Sequence, residues 1–137
     1  MNTFAQTVDL LHRGLSVGVV RRAVIADNVA NAEVPNFKRS TVNFESELRR
    51  AMDSQRTRPA LELDRTNPMH FSNHRERDLR DVQIRRVVDF ASVYANNGNN
   101  VDMEQEMALS LQNEMTFMLL AQSIDFEFSQ VSRVLRG

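Results

Sequence analysis

Cysteine is absent from this chain of 137 residues, which excludes disulfides and thiol catalysis and leaves the redox compartment open. A run of about twenty apolar residues is also missing, so no segment is built to span a bilayer as a helix. The opening residues, MNTFAQTVDLLHRG, have no basic start, no unbroken apolar run and no small-residue cleavage site. That predicts a cytoplasmic protein, or one exported by a route that cleaves nothing. Lysine is reduced to Lys38 alone. Arginine forks suit bidentate interface pairs, but a genome-wide codon bias gives the same usage, and both explanations stand. Glycine-rich phosphate loops, serine nucleophile elbows and isolated paired carboxylates are all missing. Nothing here supports an enzyme, a cofactor or a small-molecule substrate.

What is present is ordinary globular composition, 42% hydrophobic and 26% charged, enough for one small domain. A net charge of -1 argues against a general nucleic-acid or acidic-membrane binder. The charge is unevenly spread: residues 38–100 carry +3 and residues 101–137 carry -4. That polarity can guide subunit docking, although solvated surface charge is the plainer reading. His70 and His74 are four apart, with Asp78 four beyond, as in a helical zinc pair. Pro68 and the Ser-Asn pair between the histidines speak against a helix there, and His12 is remote, so exposed loop histidines are expected. RERDLRDVQIRR alternates acids with its arginines and holds no aromatic for stacking, which reads as self-compensating surface charge.

Two segments carry long helical patterns. In residues 4 to about 30, Phe4, Val8, Leu11, Leu15, Ile25 and Val29 fall on one seam in steps of four and three. Gly18 and Arg22 interrupt that seam, and Val17, Val20 and Val24 form a second apolar stripe beside it. At the other end, Asp102 is placed to cap a helix, with Gln105 as the partner side of a capping box. From there to Arg136 there is neither glycine nor proline. Met103, Met107, Leu111, Met115, Met118, Ile124, Phe128, Val131 and Leu135 lie near one winding stripe, and Phe117, Leu120 and Phe126 widen it. At 1.5 Å per residue these helices run about 40 and 50 Å. The expected fold is mainly α: long terminal helices pairing as an antiparallel coiled coil, around a small irregular, β-containing middle. Such a pair leaves apolar area uncovered, a driving force for assembly at roughly 25 cal/mol per Å2.

Between the helices the expectations are shorter. Asn43 is placed to cap a short helix through Met52, and Leu61–Leu63 reads as a brief extended piece. Residues 82–88, VQIRRVV, suit a strand, with helix as the other option. NNGNN at 96–100 is a turn cluster around Gly98.

The stretch that shapes the exit from the first helix is IADNVANAEVPNFKRS, residues 25–40. Asparagines end helices and tolerate left-handed backbone, and Pro35 pushes Val34 out of the helical region. Asn28-Val29-Ala30-Asn31-Ala32, followed by Val34-Pro35-Asn36-Phe37-Lys38, resembles the signature of the flagellar axial proteins, the rod and hook subunits. That family usually has Thr, Gly and Tyr where Val34, Asn36 and Phe37 stand. Val42-Asn43-Phe44-Glu45-Ser46-Glu47-Leu48 and Gly98-Asn99-Asn100-Val101-Asp102-Met103-Glu104 resemble further segments of the proximal-rod branch.

The resemblance implies a structural, non-enzymatic subunit of the basal-body rod, the drive shaft that crosses the periplasm. It implies residues 1–31 and 101–137 packing as the coiled-coil tube, with a middle segment, 32–100, whose signature turn bridges to neighbours. It also implies export through the flagellar type III apparatus without signal cleavage. The expected neighbours are further copies, FliE and the MS ring below and FlgC above. Rod and hook subunits are thought to engage the export gate through a phenylalanine followed four residues later by an apolar residue. Phe4 to Val8 and Phe44 to Leu48 both match, the second preferred because the first coincides with the helix seam. The rival reading is a helical adaptor or export-chaperone-like protein that binds partner helices without polymerising.

Overall fold

The structure, a computed structural model, describes residues 3–56 and 77–136. Its elements in order are α1 (Thr3–Ala30), β1 (Ser40–Asn43), α2 (Glu45–Arg56), a 3-10 turn (Leu79–Asp81), β2 (Arg85–Val88) and α3 (Met103–Arg136). The histidine pair at 70 and 74 and the extended piece at 61–63 lie outside the described residues. The chain forms two compact units, residues 1–42 with 86–137, and residues 43–85.

In the first unit α1 and α3 pack against each other as an antiparallel pair. The Phe4 ring meets Phe128 edge-on at 5.8 Å, near the start of one helix and the end of the other. Further along, Asn113 Nδ2 donates to the Gly18 carbonyl at 2.9 Å, a buried bond between the helix surfaces. Gly14 and Gly18 are one turn apart on the contact face. A Cβ at Gly14 would stand 2.9 Å from Leu120 Cδ1, and one at Gly18 would stand 3.1 Å from Phe117 Cδ2. Gly18 is therefore no defect in the seam. It is where the helices come close enough for a backbone carbonyl to accept a side-chain bond from the partner.

That geometry predicts different outcomes at one position. Gly18→Ala gains up to about 1 kcal/mol of helix propensity and loses some of it to the ring edge, so it should be close to neutral. Gly18→Leu has no room, and overpacking of this kind typically costs about 1–3 kcal/mol. Thermal unfolding of the two variants measures the difference, and equal melting temperatures would mean the helices are further apart than described.

The buried apolar residues of this unit are Val17, Val24, Ile25 and Val101. Beside them Asn28, Ser40, Asn99, Asn100, Glu106 and Asn113 are buried too. A core this polar persists only if its groups find partners, because an unpaired buried polar group costs about 1–3 kcal/mol. β1 and β2 form a two-stranded sheet. All four residues of β2 are exposed. The strand expected over 82–88 thus occupies only its second half, after a 3-10 turn whose cap is Asp78, accepting from the Arg80 N–H at 2.9 Å.

The second unit contains α2. Its helix begins at Glu45, and the Phe44 carbonyl accepts the first helical bond, from the Leu48 N–H at 2.8 Å. Asn43 does not take the capping position expected of it. Its side chain accepts from the Ser46 hydroxyl at 2.6 Å instead. Phe44 and Ala51 are buried, and Glu47 pairs with Arg50 at 2.9 Å and Arg77 at 3.4 Å.

Candidate functional site

Two features stand out: a junction of asparagines at the end of α1, and an uncovered apolar row on α3. The junction begins with Asn28, 1% exposed on the last turn of the helix. Its amide donates to the Ser40 carbonyl at 2.8 Å, and its Oδ1 accepts from the Ser40 N–H at 2.9 Å. One asparagine side chain thus acts as a strand partner and ties β1 to the helix. Asn31 Nδ2 bonds back to the Asp27 carbonyl at 2.7 Å. Ala30 and Ala32 flank it without polar side chains. The carbonyls just beyond the helix end are gathered by Asn99. Its amide lies 3.0 Å from the Asn31 oxygen, 2.9 Å from that of Ala32 and 2.8 Å from that of Val34. The Asn31 and Val34 carbonyls also accept the N–H groups of Val34 and Phe37, so a side chain from the entry to α3 reinforces the turns that follow the helix.

After Pro35 the chain turns through Asn36, the only non-glycine residue with positive φ among those described, at 59°. Its N–H donates to the Asn97 carbonyl at 3.0 Å. Phe37 is half-buried, and Lys38 Nζ donates to the Gly98 carbonyl at 2.7 Å. Left-handed backbone suits glycine and asparagine and penalises β-branched residues. Asn36→Gly should therefore be nearly neutral, and Asn36→Val should lose roughly 1–2 kcal/mol or more in denaturant melts. Identical melts for the two would mean the residue is not left-handed.

Arg39 and Asn100 close the junction on its other side. Asn100 Oδ1 accepts from the Arg39 N–H at 2.7 Å, and its amide donates to the Asp89 carbonyl at 2.8 Å and the Ser92 hydroxyl at 3.0 Å. Asp89 is itself held by the Ser92 hydroxyl, 2.6 Å, and by the N–H groups of Ser92 and Ala91. Those bonds, the hydroxyl first, keep its carboxyl below the usual carboxylate range. A depressed folded value means the bonds contribute most above the unfolded pKa and fade as pH falls through the folded one. The Arg39 guanidinium reaches α3, where Nη1 donates to Gln105 Oε1 and Nη2 lies 3.0 Å from Glu106 Oε1. The Glu106 side chain is 1% exposed and that of Arg39 12%.

Asp102 caps α3 through Oδ1, which accepts from Glu104 N–H at 2.9 Å and Gln105 N–H at 3.3 Å. The reciprocal half of the expected capping box is not made, because the Gln105 side chain accepts from Arg39. Arg39, Glu106 and Asn113 carry no signal in the sequence that marks them as junction residues. Asn99 and Asn100 are visible there only as part of the NNGNN turn cluster and of the segment that resembles the proximal-rod branch, and Glu106 is placed as an ordinary first-turn acid.

The apolar stripe expected along α3 divides in two. Leu109, Asn113, Phe117, Leu120 and Ile124 are buried or half-buried on the side of α1. Met107, Leu111, Met115 and Met118 are 64%, 55%, 56% and 55% exposed, on the opposite side. The cause is geometric: each step of four advances about 40° around a helix with 3.6 residues per turn, so a run of such steps winds away from its starting face. Leu119 and Phe126 are exposed on the same outer side. Phe128 keeps its ring contact with Phe4, while Val131 and Leu135 lie on the α1 side but beyond the start of α1, at 37% and 80% exposed. On α1, Ile25 is buried and Val8, Leu11, Leu15 and Val29 are half-buried. Of the export candidates, Phe4 is half-buried in the helix pair and Phe44 is buried in the second unit, with Leu48 half-buried.

Among the described residues no cluster of histidine and acidic side chains could hold a metal ion, and no helix is long and apolar enough to cross a membrane. An antiparallel helix pair locked by a buried polar junction, with a row of large apolar side chains exposed along one helix, defines a mainly helical protein with no built catalytic centre among its described residues. No protein-family model matches the chain. Relatives match it from end to end. It is 42% identical over 136 residues, 99% of its length and all of theirs, to the flagellar basal body rod protein FlgB of Borrelia hermsii. It is 39% identical over 136 residues to FlgB of Borreliella burgdorferi, and 31% identical over 139 residues to FlgB of Bacillus subtilis, across 98% of that protein. The chain belongs to the FlgB family of flagellar basal body rod proteins.

Proposed function

We propose that this chain is a structural subunit of the flagellar basal-body rod, catalyses no reaction, and joins its neighbours through the outer face of α3. The observation that carries the reading is the likeness to FlgB proteins along the whole chain. The exposed row of Met107, Leu111, Met115 and Met118 supports it, because contiguous exposed apolar side chains often mark contact surfaces. Further copies and other rod subunits of the FlgC kind are the natural occupants of that face, with FliE and the MS ring at the base. Export through the flagellar type III apparatus belongs to the same reading. Torque would then pass from the MS ring toward the hook through packed helices, whose close contacts resist sliding better than loops do.

The test is complementation. In a motile host lacking its own proximal-rod subunit, this chain should restore rods, seen by imaging isolated basal bodies. Rods that form normally without any such subunit would overturn the assignment. Export is tested separately. Phe44→Ala should leave the subunit in the cytoplasm, with at least about a tenfold fall in the exported fraction, while Phe4→Ala leaves export intact. Transit precedes folding, so the native burial of Phe44 has no bearing on that readout. Normal export of Phe44→Ala would move the recognition element elsewhere.

A further inference from the structure

Asn97-Gly98 is the single Asn-Gly step in the chain. We propose that Asn97 is a deamidation site built into the junction, closed while the junction is folded and open whenever it unfolds. The Gly98 backbone nitrogen, on giving its proton to hydroxide, attacks Asn97 Cγ. The adduct expels the side-chain nitrogen as ammonia and leaves a five-membered succinimide. Water then opens the ring at either carbonyl, yielding aspartate or isoaspartate. The sum is amide plus water to carboxylate plus ammonium, with no oxidant or reductant. Glycine in the following position speeds the attack because no side chain obstructs the approach.

The fold needs both residues of this labile step. Gly98 has φ +79°, and a Cβ there would stand 2.6 Å from Asn36 Oδ1. Asn97 Oδ1 accepts from the Asn99 N–H at 3.0 Å, and its main-chain oxygen accepts from the Asn36 N–H at 3.0 Å. Asn99 in turn holds the three carbonyls at the end of α1. The same turn restrains the reaction. The Gly98 N–H is donated to the Ala95 carbonyl at 3.1 Å and the Asn97 carbonyl of the same peptide unit accepts from the Asn36 N–H, so the nucleophile is engaged and its peptide plane is fixed, while Lys38 Nζ tethers the next unit through the Gly98 carbonyl. Asn97 itself is exposed, so base and water reach it as soon as the turn opens. The two products differ in consequence. Aspartate keeps an oxygen for the Asn99 N–H. Isoaspartate lengthens the main chain by a methylene and displaces the carbonyl that accepts from Asn36.

The experiment follows the full-length chain at mildly alkaline pH in native buffer and in urea. Peptide mapping by mass spectrometry detects the one-dalton gain, and isoaspartyl methyltransferase labelling detects the rearranged product. The gain at Asn97 should be at least about tenfold slower in native buffer, because attack requires local opening. Asn97→Thr should reduce the gain in that peptide to the slow background of Asn96, Asn99 and Asn100. Lys38→Met, which frees the Gly98 carbonyl without touching the helix end, should raise the native rate severalfold. Asn99→Ala should raise it further, with helicity followed by circular dichroism. Equal rates in native buffer and urea, an unchanged native rate in the Lys38→Met chain, or another asparagine outpacing Asn97 in urea would each overturn the proposal.

Discussion

Met118→Glu should fold and be exported normally and yet build no rod. Met118 is 55% exposed, on the side of α3 away from α1. A charge there meets water in the free subunit, and surface substitutions of this kind usually change stability by no more than about 0.5 kcal/mol. Glutamate is also as good a helix former as methionine. Packed against a neighbouring subunit, the carboxylate would have to leave water unpaired, which costs several kcal/mol. Spread over every copy in an assembly, that cost is enough to prevent polymerisation. The comparison variant is Glu114→Gln, a single-charge change at another exposed position on the same helix. Cell fractionation, melting of the purified subunit and imaging of basal bodies separate the three expectations. Rods built from Met118→Glu subunits would show that the outer face of α3 is not an assembly surface.

The second large effect concerns Arg39. Arg39→Ala should lose about 3–5 kcal/mol, because it strands the Glu106 carboxylate without its cation in the core. The side chains are 12% and 1% exposed, so solvent screens the pair little. Replacing both partners removes the stranded charge as well as the attraction. Arg39→Met with Glu106→Leu should therefore recover most of the loss, as apolar replacements of buried pairs often do. Urea melts of the single and double variants, read as a double-mutant cycle, measure the coupling. A single variant that melts with the wild type would mean Glu106 finds another partner or reaches water. The buried pair joins the strand region at residue 39 to the first turn of α3, so its loss should also loosen the junction.

The helices, and the chain segments that end them, are determined by the sequence alone. Apolar residues at helical spacing over 4–29, the lack of glycine and proline from Asp102 to Arg136, and the asparagines with Pro35 act over a few residues, the range of backbone sterics and local hydrogen bonds. The same local reach makes Asn36 and Gly98 legible as turn residues, since positive φ admits few side chains. Which face of α3 meets α1 was beyond that reach. Leucine, methionine and phenylalanine occur all around the helix, and hydrophobicity has no direction. The two glycines on α1 and the amide of Asn113 select the inner face, through a close approach that exists only once both helices are present. The polar core was equally hidden. Asn28 and Asn99 are legible as members of signature and turn segments, but their burial and bonding, like that of Glu106, are hidden until Ser40, the carbonyls of residues 31–34 and Arg39 are brought to them from distant parts of the chain. A buried polar group is tolerable only where its partner arrives, and that arrival is a property of the tertiary structure.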